Sequence, residues 1–183
     1  PPAPIGAPPL DARIELVNEL LKRAPVTIFV PTGYLENFSA PWSAGRIADG
    51  ELCYPLAEHV RVAWVTNEDV GSCAIAAFGR PEQARGRRFR VAGPESLTLP
   101  AVAERIGDGI GREVPFRRVS GDEYAEMLAP FVGEDTARMI GASYDRMAED
   151  QNRLMTPDIS EPIEALGVRF TTVEEWARRR LRK

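Results

Sequence analysis

Histidine and cysteine are almost absent from this chain of 183 residues: His59 stands alone, and Cys53 and Cys73 are its only thiols. Without carboxylates these residues cannot complete a tetrahedral zinc site, and neither cysteine lies in a Cys-x-x-Cys pair, so reduced thiols and no metal are expected. A single histidine with no Ser or Cys in a nucleophile elbow also argues against a hydrolase triad. No apolar run approaches the ~20 residues that span a bilayer. Pro1 to Pro9 has neither the basic head nor the apolar body of a signal peptide. No membrane partner and a cytoplasmic setting are the resulting expectations. Positive charge is not in excess, since 23 Lys+Arg face 27 Asp+Glu for a net charge of −4. That balance argues against nucleic acid as a partner, because phosphate binding needs concentrated cations. The local runs at Arg85, Arg87, Arg88 and Arg90 and at Arg178 to Lys183 read as solvated surface. The second run also opposes the negative end of a helix dipole.

Apolar residues make up 44% of the chain, and a chain of this size can withdraw roughly 70% of its unfolded surface from water. One core-bearing α/β unit over residues 1–183 is the simplest partition, with no internal repeat or low-complexity linker. Leu10, Ile14, Val17 and Leu21 recur at helical spacing and predict a core-facing helix to about Arg23. Pro25 stops it. Val26-Thr27-Ile28-Phe29-Val30 is then a short β-branched and aromatic run between prolines, the pattern of a parallel strand covered on both faces. Short strands are expected at Glu51 to Tyr54, Val60 to Val65 and Arg87 to Ala92, with an edge strand at Glu113 to Val119 because Pro115 would break a central ladder. Helices are expected after Thr66 or Asn67 (Val70, Cys73, Ala74, Ala77 and Phe78 inward), after Thr98, after Ser120, from Gly133 to about Asp150, and after Thr172. Ser120 with Glu123 and Thr172 with Glu175 have capping-box spacing. Tyr34 to Ile47 reads as broken helix and loop, anchored by Phe38 and Trp42.

The junction Phe29-Val30-Pro31-Thr32-Gly33-Tyr34-Leu35-Glu36-Asn37-Phe38 concentrates the candidate chemistry. A parallel strand ending in Pro-Thr-Gly opens its last backbone groups at the carboxyl edge of the sheet, where open α/β proteins bind ligands. Gly33 lets backbone approach a ligand, and Tyr34 and Asn37 could present a ring and an amide to one pocket. The alternative is a plain turn with a packed tyrosine and a capping asparagine.

These residues resemble a known family. Val26 to Phe38 is similar to the segment after the sixth strand of NmrA-like proteins, an atypical branch of the short-chain dehydrogenase/reductase superfamily. Val65-Thr66-Asn67-Glu68-Asp69-Val70-Gly71 is similar to a Thr-x-x-Asp element of that family. Gly86 to Glu95, Ser96-Leu97-Thr98 and the terminal helix near Trp176 follow in the same order. The resemblance implies the carboxyl-terminal portion of a Rossmann-like NmrA-type fold, with short parallel strands and a helix-rich substrate-side subdomain. It implies NADP or NAD as cofactor and a small carbonyl or quinone-like molecule as substrate. Pro31, Thr32 and Gly33 would border the cofactor, and Tyr34, Glu36, Asn37, Phe38 and Trp42 the substrate. Arg13 and Tyr34 become the candidate catalytic residues.

The family's glycine-rich pyrophosphate turn has no counterpart in these residues, and Gly107-x-Gly109-x-Gly111 lies in a helix rather than between strand and helix. The cofactor is therefore expected to bind only with an amino-terminal half. The Tyr-x-x-x-Lys pair is not intact either: Pro9 stands at the tyrosine position and Arg13 at the lysine position. A guanidinium does not exchange protons near neutral pH. The resemblance thus leaves a second reading open, a non-catalytic NAD(P)-sensing regulatory or protein-interaction module. A homo-oligomer, or another chain covering an exposed sheet edge, is the expected macromolecular partner.

Overall fold

The computed structural model describes residues 8–146 and 155–182. Helix α1 (Pro8–Arg23) leads into strand β1 (Ile28–Pro31), and the short helices α2 (Glu36–Ser39) and α3 (Pro41–Ala48) follow. Strands β2 (Leu52–Tyr54) and β3 (Arg61–Val62) precede helix α4 (Asn67–Gly79), the turn of helix α5 (Pro81–Ala84) and strand β4 (Arg88–Val91). Then come β5 (Leu97–Thr98), α6 (Leu99–Ile110), β6 (Phe116–Arg118), α7 (Gly121–Val132), α8 (Glu134–Arg146), α9 (Ser160–Leu166) and α10 (Val173–Arg180).

The strands form pairs rather than one broad sheet. β1 lies parallel to β4 with Phe29 opposite Phe89, β2 parallel to β6 with Cys53 opposite Arg117, and β3 antiparallel to β5. The expected edge character of the last parallel strand holds, with Pro115 just outside the ladder, where its carbonyl accepts from Leu52 N–H at 2.9 Å.

Helix starts follow local chemistry. The hydroxyls of Thr66, Thr98, Ser120 and Thr172 each accept the N–H three residues on, satisfying one of the amides that a helix start leaves unpaired. At Thr172 the capping box closes fully, because Glu175 also accepts the Thr172 N–H. At Ser120 only half of it forms: Glu123 turns instead to the Arg117 guanidinium, 2.9 Å away, where opposite charge outweighs a backbone cap.

Burial divides into two clusters. The larger holds Phe38, Tyr54, Val62, Trp64, Ile106, Leu128 and Trp176, walled by α6, α7 and α10. The smaller holds Val65, Cys73, Phe89, Val91, Leu166 and Phe170 around β4 and α4. Gly109 permits a close helix approach in the larger one, since a Cβ there would fall 2.7 Å from the Ala177 Cβ and the Glu174 carbonyl. The Gly107-Gly109-Gly111 run is thus a helix-packing device, ending in a left-handed cap at Gly111.

Several expectations are corrected. Of the α1 stripe, Ile14 and Val17 are half-buried, Leu21 is exposed, and none of these three belongs to either cluster. Helical periodicity marks an apolar face but does not supply its cover. β1 is likewise not covered on both faces, each of its residues being partly exposed, because it pairs on one side only. Phe78 points outward at 89% exposure while Cys73 and Ala77 turn inward. Helix α8 is described to Arg146, so Met147, Ala148 and Asp150 lie outside the described residues.

Arg85, Arg87, Arg88, Arg178, Arg179, Arg180 and Arg182 are exposed, as expected, whereas Arg90 is half-buried, and several of the exposed ones are paired. Arg87 meets Glu161 at 2.6 Å, Arg179 lies 3.5 Å from Glu68, and Arg180 and Arg178 pair with Glu68 and Glu174.

Candidate functional site

The loop leaving β1 runs along the seam between the two clusters. Tyr34 forms a parallel bridge with Val65, with Leu35 N–H donating to the Val65 carbonyl and Val65 N–H to the Gly33 carbonyl, both at 2.9 Å. Extended backbone sends successive side chains to opposite sides. Leu35 and Trp64 therefore enter the larger cluster while Tyr34 and Val65 enter the smaller one. Thr32 extends the β1 ladder through its N–H to the Val91 carbonyl at 3.0 Å, and its hydroxyl donates to the Ala63 carbonyl. Gly93 closes the same junction so tightly that a Cβ would fall 1.9 Å from the Trp64 carbonyl oxygen. The chain segments after β1, β3 and β4 thus converge around Trp64, at the carboxyl ends of the parallel β1–β4 pair.

Gly33 has a cause inside the protein. A Cβ there would meet the Trp64 ring at 2.6 Å, so the absent side chain makes room for indole. Tyr34 is half-buried, and burial together with the adjacent Glu36 carboxylate pushes its phenol above the usual range. A phenol so placed stays protonated at neutral pH and can donate a hydrogen bond. Glu36 accepts the Asn67 N–H at 3.1 Å, adding a second cap to α4. The Asn37 amide reaches the Tyr54 hydroxyl at 3.5 Å.

Below Asn37 lies a group of tyrosines that spacing alone did not assemble. Tyr54 on β2, Tyr124 on α7 and Tyr144 on α8 meet with ring centroids 5.2 to 5.5 Å apart, and the Tyr54 and Tyr144 hydroxyls are 2.6 Å apart. Burial, with the neighbouring phenols, holds Tyr54 well above the ordinary phenol range. These hydroxyls are neutral donors and acceptors that tie α8 to the floor under Asn37. Phe38 is fully buried against Tyr54, Trp64 and Trp176, and Trp42 packs on Phe131 at 6.0 Å. Arg13 lies within α1, and its side chain is outside the described part of the structure.

Tyr34, Glu36, Asn37 and Thr32 are therefore brought to one seam, with Phe38 and Trp42 supporting it from the larger cluster. Sequence reading missed Trp64, around which the seam is built. It also missed the carboxylate of Asp69, which accepts the Thr171 N–H at 3.0 Å and the Thr171 hydroxyl at 2.9 Å. That pair pins the entry to α10 against the start of α4. Glu95 does the same from another side, accepting the Val173 N–H at 3.0 Å. The spacing Thr66-x-x-Asp69 was visible, but its partner 102 residues away was not.

The described grooves lie elsewhere. One of about 790 Å³ is rimmed by Glu58, Glu104, Asp108, Arg112 and Glu113. An apolar one of about 460 Å³ runs between Pro25, Phe29, Ala77 and Phe78. Neither is lined by Pro31, Thr32, Gly33, Tyr34 or Asn37. Along the seam Thr32, Gly33, Tyr34, Glu36 and Asn37 are each half-buried. No group of metal-ligating side chains is found among the described residues. None of the helices of the described residues is long and apolar enough to cross a membrane.

Comparison with known proteins places this geometry. The model of the NmrA-like family matches residues 14–177. The chain belongs to the NmrA-like family. Among solved structures it is similar to a nucleoside-diphosphate-sugar epimerase from Staphylococcus aureus, at 17% identity and a TM-score of 0.71, covering 92% of this chain and 58% of that one. An NADPH-dependent quinone oxidoreductase from Escherichia coli shares 21% identity with a TM-score of 0.69 over 92% of this chain and 60% of that one. NmrA, a negative transcriptional regulator solved in complex with NAD, shares 19% identity at a TM-score of 0.58, over 90% of this chain and 55% of that one. A search of curated proteins gives no significant match. At these identities the structures establish the fold, and the chain spans less than two thirds of each. The NmrA-like chain contains no glycine-rich turn between strand and helix to hold a pyrophosphate. These residues by themselves do not fit a whole dinucleotide.

Proposed function

We propose that these residues form the substrate-side portion of an NAD(P)-dependent oxidoreductase-type NmrA-like protein that acts on a small carbonyl or quinone-like substrate. The observation that carries this reading is the convergence of the segments after β1, β3 and β4 around Trp64, beside the half-buried Tyr34 and Asn37. Pro31, Thr32 and Gly33 would border the nicotinamide. Tyr34 would donate a hydrogen bond to the substrate oxygen, and Asn37, held by the Tyr54 hydroxyl, would orient the substrate. Phe38 and Trp42 would support the pocket from within, and Glu36 would hold its edge to α4. Arg13 would contact a ribose or the substrate as a fixed cation rather than exchange a proton.

Two measurements test this. Calorimetry of the 183-residue chain with NADPH should show no binding in the micromolar range, because the pyrophosphate cradle is missing. With the complete gene product, quinone-dependent oxidation of NADPH should be lost in Tyr34→Phe or Asn37→Ala.

A regulatory module that senses NAD(P) without turnover is the second reading. It is favoured by Pro9 and Arg13 standing where short-chain reductases carry their proton-transfer pair. NADPH binding by the complete gene product without oxidation of any quinone or small carbonyl compound would select it.

A further inference from the structure

A phenol has one proton to give and two lone pairs with which to receive. The Tyr54 hydroxyl, on a fully buried side chain beneath Asn37, meets two groups. Asn37 Nδ2 is 3.5 Å away and, as an amide nitrogen, can only donate. Tyr144 Oη is 2.6 Å away and can donate or accept. Were Tyr144 a donor as well, the Tyr54 proton would be turned away from its nearest oxygen, into the rings of Phe38, Trp64 and Tyr124. A buried donor left without an acceptor is costly. With Tyr54 donating, the proton left over belongs to Tyr144, which is only half-buried. Donation therefore runs from Asn37 to Tyr54 to Tyr144.

That order fixes the amide of Asn37. With its proton committed to Tyr144, Tyr54 faces Asn37 as an acceptor only, so Asn37 turns its nitrogen toward Tyr54 rather than its carbonyl oxygen. Without the Tyr144 oxygen the Tyr54 proton would swing to the Asn37 side and meet the carbonyl of an amide turned over by half a turn. The edge that Asn37 presents would then exchange donor for acceptor. We infer that Tyr144 is a positioning residue of the candidate site: by accepting the Tyr54 proton it sets which way the Asn37 amide faces. The effect on a substrate rests on the reading above, in which Asn37 orients that substrate, whereas the order of donation does not. Helix α8 thereby takes part in the site from 90 residues beyond Tyr54 in the chain.

Side-chain NMR of the 183-residue chain tests the order without turnover. In the unmutated chain the Tyr54 hydroxyl proton should exchange slowly enough to be seen, and the Asn37 side-chain amide protons should give cross-peaks to Tyr54. A Tyr54 hydroxyl proton that cannot be seen, or one seen on Tyr144 in its place, would overturn the inference whether or not any variant folds. Tyr144→Phe keeps the ring and removes only the oxygen, and the Asn37 amide protons should then lose their cross-peaks to Tyr54. Tyr124→Phe should leave those cross-peaks in place. Their survival in Tyr144→Phe would overturn the inference, and so would their loss in Tyr124→Phe alone, which would make Tyr124 the acceptor. In the complete gene product Tyr144→Phe should lower kcat/KM for a quinone about tenfold, mainly through KM, as expected for one misdirected hydrogen bond. An unchanged kcat/KM in an active enzyme would overturn the positioning role. An unmutated gene product without turnover would instead defeat the oxidoreductase reading, and the NMR result would still decide the orientation of Asn37.

Discussion

The two halves of the molecule were built from similar residues and ended differently. Around Trp64, Tyr54 and Trp176 the aromatic rings meet each other from β2, β3, α7 and α10, and nearly every large apolar side chain is sealed. Around β1 and α4 the residue types are as apolar, yet Phe29 and Val70 are only partly covered and Phe78 faces solvent. The difference lies in neighbours rather than composition. The larger cluster closes on itself within the chain, whereas β1 and α1 present faces that the described residues cover only in part. The seam that carries Tyr34 and Asn37 runs between them, with the larger cluster on one side and the smaller, partly covered one on the other.

The contrast can be broken most directly at Trp176. Trp176→Ala removes a fully buried ring that packs on Phe38 at 6.4 Å, and should cost about 3–5 kcal/mol in urea denaturation. A loss below about 1 kcal/mol would show that the larger cluster is not the stable half.

Asp69→Ala tests the joint between the halves. It strips the acceptor from the buried Thr171 N–H and hydroxyl, and should cost about 2 kcal/mol. An unchanged urea midpoint would mean that the two halves are not coupled through Thr171.

The thiols compare the halves from inside, one in each cluster. Burial, with Asp69 adding, pushes Cys73 up to about 11, and burial, with the Glu51 hydrogen bond adding, raises Cys53. Both shifts favour the neutral thiol. Native Cys73 should therefore be alkylated at pH 8 about 100-fold more slowly than in urea. For stability the sign is that of a raised acid: the contribution of Cys73 is complete below its unfolded value near 9.0 and is lost as pH rises through about 11. Equal alkylation rates in the native and unfolded chain would show that the smaller cluster is open to solvent at Cys73.

The smallest effect belongs to the open side. Phe78→Ser should change stability by no more than about 0.5 kcal/mol, since its ring touches little. A loss above about 2 kcal/mol would mean that Phe78 is already covered in the isolated chain and would erase the contrast.

Local chemistry was legible wherever one or two neighbouring residues decided the outcome. Thr98, Ser120 and Thr172 cap helices as their spacing predicted, Thr66 does so where the reading left Thr66 or Asn67, and Pro25 and Pro115 fall outside regular elements. The run from Val26 to Val30 gave its strand, shifted to Ile28–Pro31. The family order of motifs pointed to the NmrA-like assignment that the match over residues 14–177 establishes. Long-range pairing was not legible. Nothing around Trp64 announced that Gly33 and Gly93 would both press on it, or that Tyr54 would meet Tyr124 and Tyr144.

Taken alone, the amino-acid order determined the helix caps, the strand runs, the family and the lack of a phosphate turn, because each depends on residues close in sequence. Only the tertiary structure decided which apolar faces were covered. Burial is a property of partners brought together across the chain, and among the described residues Ile14 and Val17 of α1 met only partial cover and one edge of β1 met no strand.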